Sequence, residues 1–221
     1  MTTSLNMRLA RFCAATLLSG FALLAGAQQQ MPDPAGMSPS PMPKDARTRA
    51  KAHTELGALY FQDGNLIVAL EELTLAAAID PDYAPALSTR GLVLYYVKEF
   101  DSAEKDFRRA LSLEERNPEI NNNYGWFLCQ TGRAKESIAY FERAYRNPMY
   151  QTPANAYLNA GACHIKTNEL DLAEDALRRS LRLMLKNPQA LYYLADVSYR
   201  RGNFDAARKH LTEAARLRCS A

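Results

Sequence analysis

From residue 48 onward, apolar and polar positions alternate at helical spacing, and one pattern returns about every 34 residues. Gly57, Gly91 and Gly125 lie 34 residues apart, Gly161 follows 36 later, and Ala195 another 34. Each small residue is followed by an Ala or Ser (Ala69, Ala103, Ser137, Ala173, Ala207) and, four residues on, by a large apolar side chain: Leu73, Phe107, Phe141, Leu177 and Leu211. A four-residue interval puts two side chains on one helix face, one turn apart. The pattern therefore predicts two helices per unit, packed closely where the small residue of the first meets the small residue of the second. Pro81, Pro118, Pro153 and Pro188 mark where helices stop or start. The units fall near 50–83, 84–117, 118–153, 154–187 and 188–221, in an array over 48–221. One such pair cannot bury its apolar face alone, so the units must stack into a solenoid.

The chain before the array differs in kind. Arg8 and Arg11 precede an apolar stretch, Phe12 to Leu24, that ends at Ala25-Gly26-Ala27. A basic start, a short apolar run and a small-x-small site read as a secretory signal peptide over 1–27. The run is shorter than the roughly 20 residues a helix needs to span a bilayer. Leu24-Ala25-Gly26 is the tripeptide that precedes the lipidated cysteine of bacterial lipoproteins, but Ala27 has no thiol to carry the lipid. Membrane association is therefore expected to be indirect. Residues 28–47 hold five of the eleven prolines, lack apolar periodicity and read as a flexible linker.

Composition narrows the function. A net charge of +3, from 27 basic and 24 acidic residues, is too balanced for a nucleic-acid binder. With 48% hydrophobic residues the chain is not a disordered one. Four cysteines and three histidines contain no C-x-x-C or H-x-x-x-H spacing, so no metal is expected. Cys163 and His164 are adjacent, which turns them about 100° apart on a helix. Glu71-Glu72 and Glu114-Glu115 read as solvated surface. With no nucleophile-base-orienter set and no phosphate loop, neither an enzyme nor a cofactor is expected.

The 34-residue register is the tetratricopeptide (TPR) signature. That resemblance implies an all-α, right-handed superhelix (an α-solenoid) of about five helix-turn-helix repeats. It also implies a concave groove lined by the first helix of each unit. Inner positions are then Ser88, Leu92, Tyr95 and Tyr96 in the second unit, and Asn122, Asn123, Trp126 and Gln130 in the third. The fourth contributes Leu158, Asn159, Ala162 and Lys166, the fifth Tyr192, Tyr193, Asp196, Tyr199 and Arg200. We expect Tyr95, Tyr96, Asn122, Asn123, Trp126, Asn159, Tyr192 and Tyr199 to bind a protein partner. Trp and Tyr dominate binding hot spots, and amides suit an extended backbone because they donate and accept. Tyrosines are expected on both sides of Trp126. Cys129 and Cys163 lie on neighbouring first helices, either bridged or as two small buried thiols.

The segment Asn121-Asn122-Asn123-Tyr124-Gly125-Trp126-Phe127-Leu128 resembles the Asn-Asn-Tyr-Gly-x-Phe-Leu segment of the PilW/PilF family of type IV pilus biogenesis and stability proteins. The resemblance implies an exported, periplasmic scaffold at the outer membrane, with the secretin or other pilus components as partners. Members usually carry a lipidated cysteine and six repeats; this sequence has Ala27 and five recognisable units. Two rivals remain at this point: a general periplasmic TPR adaptor, and a redox protein using Cys129 and Cys163.

Overall fold

The computed structural model describes residues 45–219. The expected signal peptide, Ala27 and the expected linker up to residue 44 lie outside the described residues. Ten helices follow one another among those described: α1 (Ala46–Gln62), α2 (Leu66–Ile79), α3 (Ala84–Tyr96), α4 (Phe100–Leu113), α5 (Pro118–Gln130), α6 (Ala134–Tyr145), α7 (Pro153–Lys166), α8 (Leu170–Leu183), α9 (Pro188–Arg200) and α10 (Phe204–Cys219). The first starts at Ala46, so residues 45–47 form the cap and first turn of α1. Asp45 accepts from the backbone N–H groups of Arg47 and Thr48. Asn117 and Asn187 cap α5 and α9 in the same way, each followed by Pro at the first helical position. Proline belongs there because its missing N–H would have no partner in the first turn.

Odd and even helices pair antiparallel within each unit. The turn between them needs a left-handed residue at one repeat position, filled by Gly64, Gly132 and Gly202, and also by Lys98 (φ 68°) and Asn168 (φ 60°). The pairs close where the repeat register predicts. A Cβ added to Gly91 would lie 2.9 Å from Phe107, one at Gly125 2.9 Å from Phe141, one at Gly57 2.7 Å from Leu73 and one at Gly161 2.6 Å from Leu177. Those four large side chains are fully buried. Their counterpart Leu211 is 46% exposed. Its register partner is Ala195 in place of glycine, and no helix packs beyond α10 among the described residues.

Each odd helix also packs on the next odd helix, α1 on α3, α3 on α5, α5 on α7 and α7 on α9. No Cα atoms of successive even helices approach within 8 Å. Odd helices thus crowd together while even helices splay, which curves the array and makes the odd helices its concave wall. The two extra residues between Gly125 and Gly161 are taken up in the turn over 146–152. There the Asn147 side chain donates to Arg116 O at 2.9 Å, and Tyr150 buries against Ala144 and Ala156.

Candidate functional site: the inner wall

All odd helices point the same way, so their C-terminal ends form one edge of the concave wall. Here aromatic side chains gather. The Trp126 ring lies 4.7 Å from Tyr95, edge to face, and 5.8 Å from Tyr96, stacked. Tyr96 reaches back to Phe61 at 5.3 Å, and Tyr95 forward to Phe100 at 5.5 Å. The cluster joins three units into one apolar surface. Trp126 is half-buried, packed against the core clusters that contain Phe127 and Cys129, while Tyr96 is 50% exposed. Rings fixed by other rings lose little further freedom on contact with a partner, which is what a hot spot requires.

The tyrosines do not surround Trp126. Tyr192 and Tyr199 lie two units away, 59% and 64% exposed, where Tyr192 meets Tyr193 and Tyr199 meets Phe204. The distance follows from the stacking, since the wall carries Ala162 and Asn159, not an aromatic, in the intervening unit.

The asparagines bridge successive odd helices. Asn123 Nδ2 donates to Ser88 Oγ at 3.2 Å, and Asn159 Nδ2 donates to Asn122 Oδ1 at 3.0 Å. These are repeat-equivalent bonds, each tying an odd helix to the one before it. Asn122 is only 5% exposed. It therefore serves the joint between units more than the groove, and the expectation of a free backbone-binding amide does not fit it. Asn121 donates to Glu115 O and Asn117 O, fixing the turn into α5. Tyr124, Phe127 and Leu128 are core. Nearly the whole family-marking segment is thus packing, and Asn123 and Trp126 are the two side chains it leaves partly exposed.

Beyond Trp126 the edge becomes polar. Lys166 Nζ donates to Gln130 Oε1 at 2.7 Å and approaches Cys129 O at 3.4 Å; burial holds its ammonium below the usual lysine range. Arg200 pairs with Asp196 at 3.0 Å. In the wall's floor, Cys129 and Cys163 are joined as a disulfide, with Cα atoms 5.9 Å apart. His53 and His164 are engaged by Glu72 and Glu169 at 2.7 and 2.8 Å. Glu72 is consequently an α1–α2 contact and not solvated surface. No group of three or more potential metal ligands occurs, and no helix is long and apolar enough to cross a membrane, among the described residues.

Phe61, Phe100 and Phe204 were not among the expected site residues. Their signal was present in the register. Phe100 and Phe204 each open an even helix five residues after an inner-wall tyrosine.

An array of antiparallel helix pairs, curved by its odd helices and closed at a glycine or alanine in every unit, is a tetratricopeptide-repeat solenoid. The tetratricopeptide-repeat family profile matches residues 88–152 and 158–218. The crystal structure of PilW, described as a widely conserved type IV pilus biogenesis factor, superposes with a TM-score of 0.71 at 35% identity, over 76% of this chain and 77% of that one. The structure of Pseudomonas aeruginosa PilF gives 0.70 at 28% identity, over 78% of each chain. In sequence, the Pseudomonas aeruginosa type IV pilus assembly protein PilF is 29% identical over 159 residues, 72% of this chain. The chain spans 63% of that relative's length. The chain belongs to the PilW/PilF family of tetratricopeptide-repeat proteins.

Proposed function

We propose that this protein is an exported, non-enzymatic scaffold of type IV pilus biogenesis, at work in the periplasm beside the outer membrane. It captures a segment of the secretin or of another pilus component on its concave wall, and so assists secretin assembly or localisation. The observation that carries this reading is the aromatic cluster Phe61–Tyr96–Trp126–Tyr95–Phe100. It places a half-buried tryptophan on the concave wall of a chain whose relatives are pilus biogenesis proteins. Trp126 is the anchor, with Tyr95 and Tyr96 holding its ring.

Two measurements test this. In a strain lacking the gene, heat- and detergent-resistant secretin multimers are expected to fall and to return with the intact gene; normal multimers would remove the secretin part of the proposal. In a pull-down from envelope extract, the wild-type protein is expected to retain pilus components. Trp126→Ala is expected to weaken that capture by about 2 kcal/mol while leaving the fold intact. Unchanged capture would remove Trp126 as the anchor.

A further inference from the structure

One aromatic pair occurs twice along the C-terminal edge of the wall. Tyr95 and Phe100 meet at 5.5 Å in the second unit, and Tyr199 and Phe204 at 5.5 Å in the fifth. Both tyrosines stand four residues after the small residue of their unit, Gly91 and Ala195, and both phenylalanines open the following helix. The third unit fills these two positions with Cys129 and Ala134, the fourth with Ile165 and Leu170. The edge therefore has an aromatic pad at each end of a three-unit span. The far pad is open, with Phe204 60% exposed and Tyr199 more so.

Between the pads lies a depression of about 510 Å³ bordered by Cys129, Gly132, Ala134, Lys135 and Lys166. Small residues at its rim leave the space. Its charge is decided by what is already paired. Arg133 is bound to Glu104 and Glu136, both at 2.8 Å, and Glu169 is held by His164 and Thr167. Lys135 and Lys166 have no carboxylate within 4.0 Å among the described residues. The depression therefore offers two ammonium groups outside any salt bridge: Lys166, partly desolvated and hydrogen-bonded only to the neutral Gln130 and Cys129 O, and Lys135, which lies in the field of Glu169.

We infer that this edge takes an extended peptide with acidic side chains at its centre and an aromatic or large aliphatic side chain at each end. Neighbouring helices pack at about 8–10 Å, so three units span roughly 27 Å. An extended chain covers that in about eight residues at about 3.3 Å each. The inference rests on the concave-wall reading above and adds the chemistry and length of what is captured.

The test uses the mature protein and three synthetic peptides of about this length. One has phenylalanine at both ends with alternating aspartate and serine between, the second has lysine in place of aspartate, and the third keeps one phenylalanine only. Trp126 is the single tryptophan, so its emission reports the first pad directly. The acidic, two-ended peptide is expected to change that emission saturably, and less so at high salt. Phe204→Ala is expected to weaken it about tenfold, as loss of a hot-spot contact does. The double variant Lys135→Gln, Lys166→Gln should do the same through charge. All three substituted side chains are exposed, and unchanged circular dichroism and melting would confirm the fold. Equal binding of the acidic and lysine peptides, indifference to Phe204→Ala, or no response to any peptide overturns the inference. The concave-wall reading is separable, because capture of pilus components that depends on Trp126 would still stand.

Discussion

The junction between the second and third units and the junction between the third and fourth share an inner-wall amide bond, from Asn123 to Ser88 and from Asn159 to Asn122, but differ in what is added to it. At the first, Glu104 on α4 reaches the turn of the next unit on the outer side. It accepts from Arg133 at 2.8 Å and from Arg108 at 2.7 Å. At the second, the repeat-equivalent residue is Ile138 and no ion pair crosses the outer face among the described residues. The added closure is on the inner wall, where Cys129 and Cys163 are bonded. Their counterparts one junction earlier are Tyr95 and Phe127, a ring contact at 6.3 Å. One junction later they are Ile165 and Val197, and the outer clasp returns, Arg201 binding Asp171 and Glu174. The repeat thus dictates how two helices meet inside a unit but leaves the joint between units free to be made by charge or by a covalent bond. The covalent joint falls where the wall changes from aromatic to polar, beside Trp126.

The largest effect should be the same on both sides of this comparison. Phe107 and Phe141 fill the seams of the second and third units, each fully buried against its glycine. Phe107→Ala and Phe141→Ala are each expected to cost about 3–5 kcal/mol in chemical denaturation. A marked inequality would mean that the seams are not equivalent and that the units differ in more than their joints. The next effect separates the junctions. The bond closes a loop of 34 residues, so the chain-entropy account gives about 3–4 kcal/mol lost on reduction. Unfolding midpoints with and without reductant measure it. An unchanged midpoint would show that apolar packing alone closes this junction.

The fold was legible because the helix-helix seam admits few solutions. A glycine or alanine opposite a large side chain has to recur in every unit, so the register reveals the architecture. The wall was less legible because it does not repeat. Asn122, Asn123 and Asn159 carry groove chemistry on paper, yet Ser88 and Asn122 take up their amides, and only the spacing between helices reveals that. Tyrosines were expected on both sides of Trp126, but those of the fifth unit, Tyr192 and Tyr199, stand two units away, and the intervening unit carries none on the wall. Phe100 and Phe204 were not singled out in the sequence; their ring contacts with Tyr95 and Tyr199 make them part of the edge.

The smallest expected effects concern the charged clasp. Glu104 and Arg133 are about one-third exposed, so Arg133→Met should cost only about 1 kcal/mol, in the range of well-formed surface pairs. The same clasp responds to acid with a definite sign. The hydrogen bond from Arg133, aided by Arg108, holds the Glu104 carboxyl below its ordinary value of 4.5. Arg178 and Arg201 do the same for Glu174 in the last junction. A carboxyl depressed in the folded state binds fewer protons there than in the unfolded chain. Its stabilisation is therefore complete above about pH 4.5 and is lost as pH falls through the lower, folded value. Arg133→Met should flatten that acid limb without altering the response to reductant, and Cys129→Ala should abolish the response to reductant without altering the limb. If either substitution changed both, the two joints would be one cooperative element and not two independent closures. The double variant then decides by additivity, since independent sites sum to within about 0.5 kcal/mol and coupled ones do not.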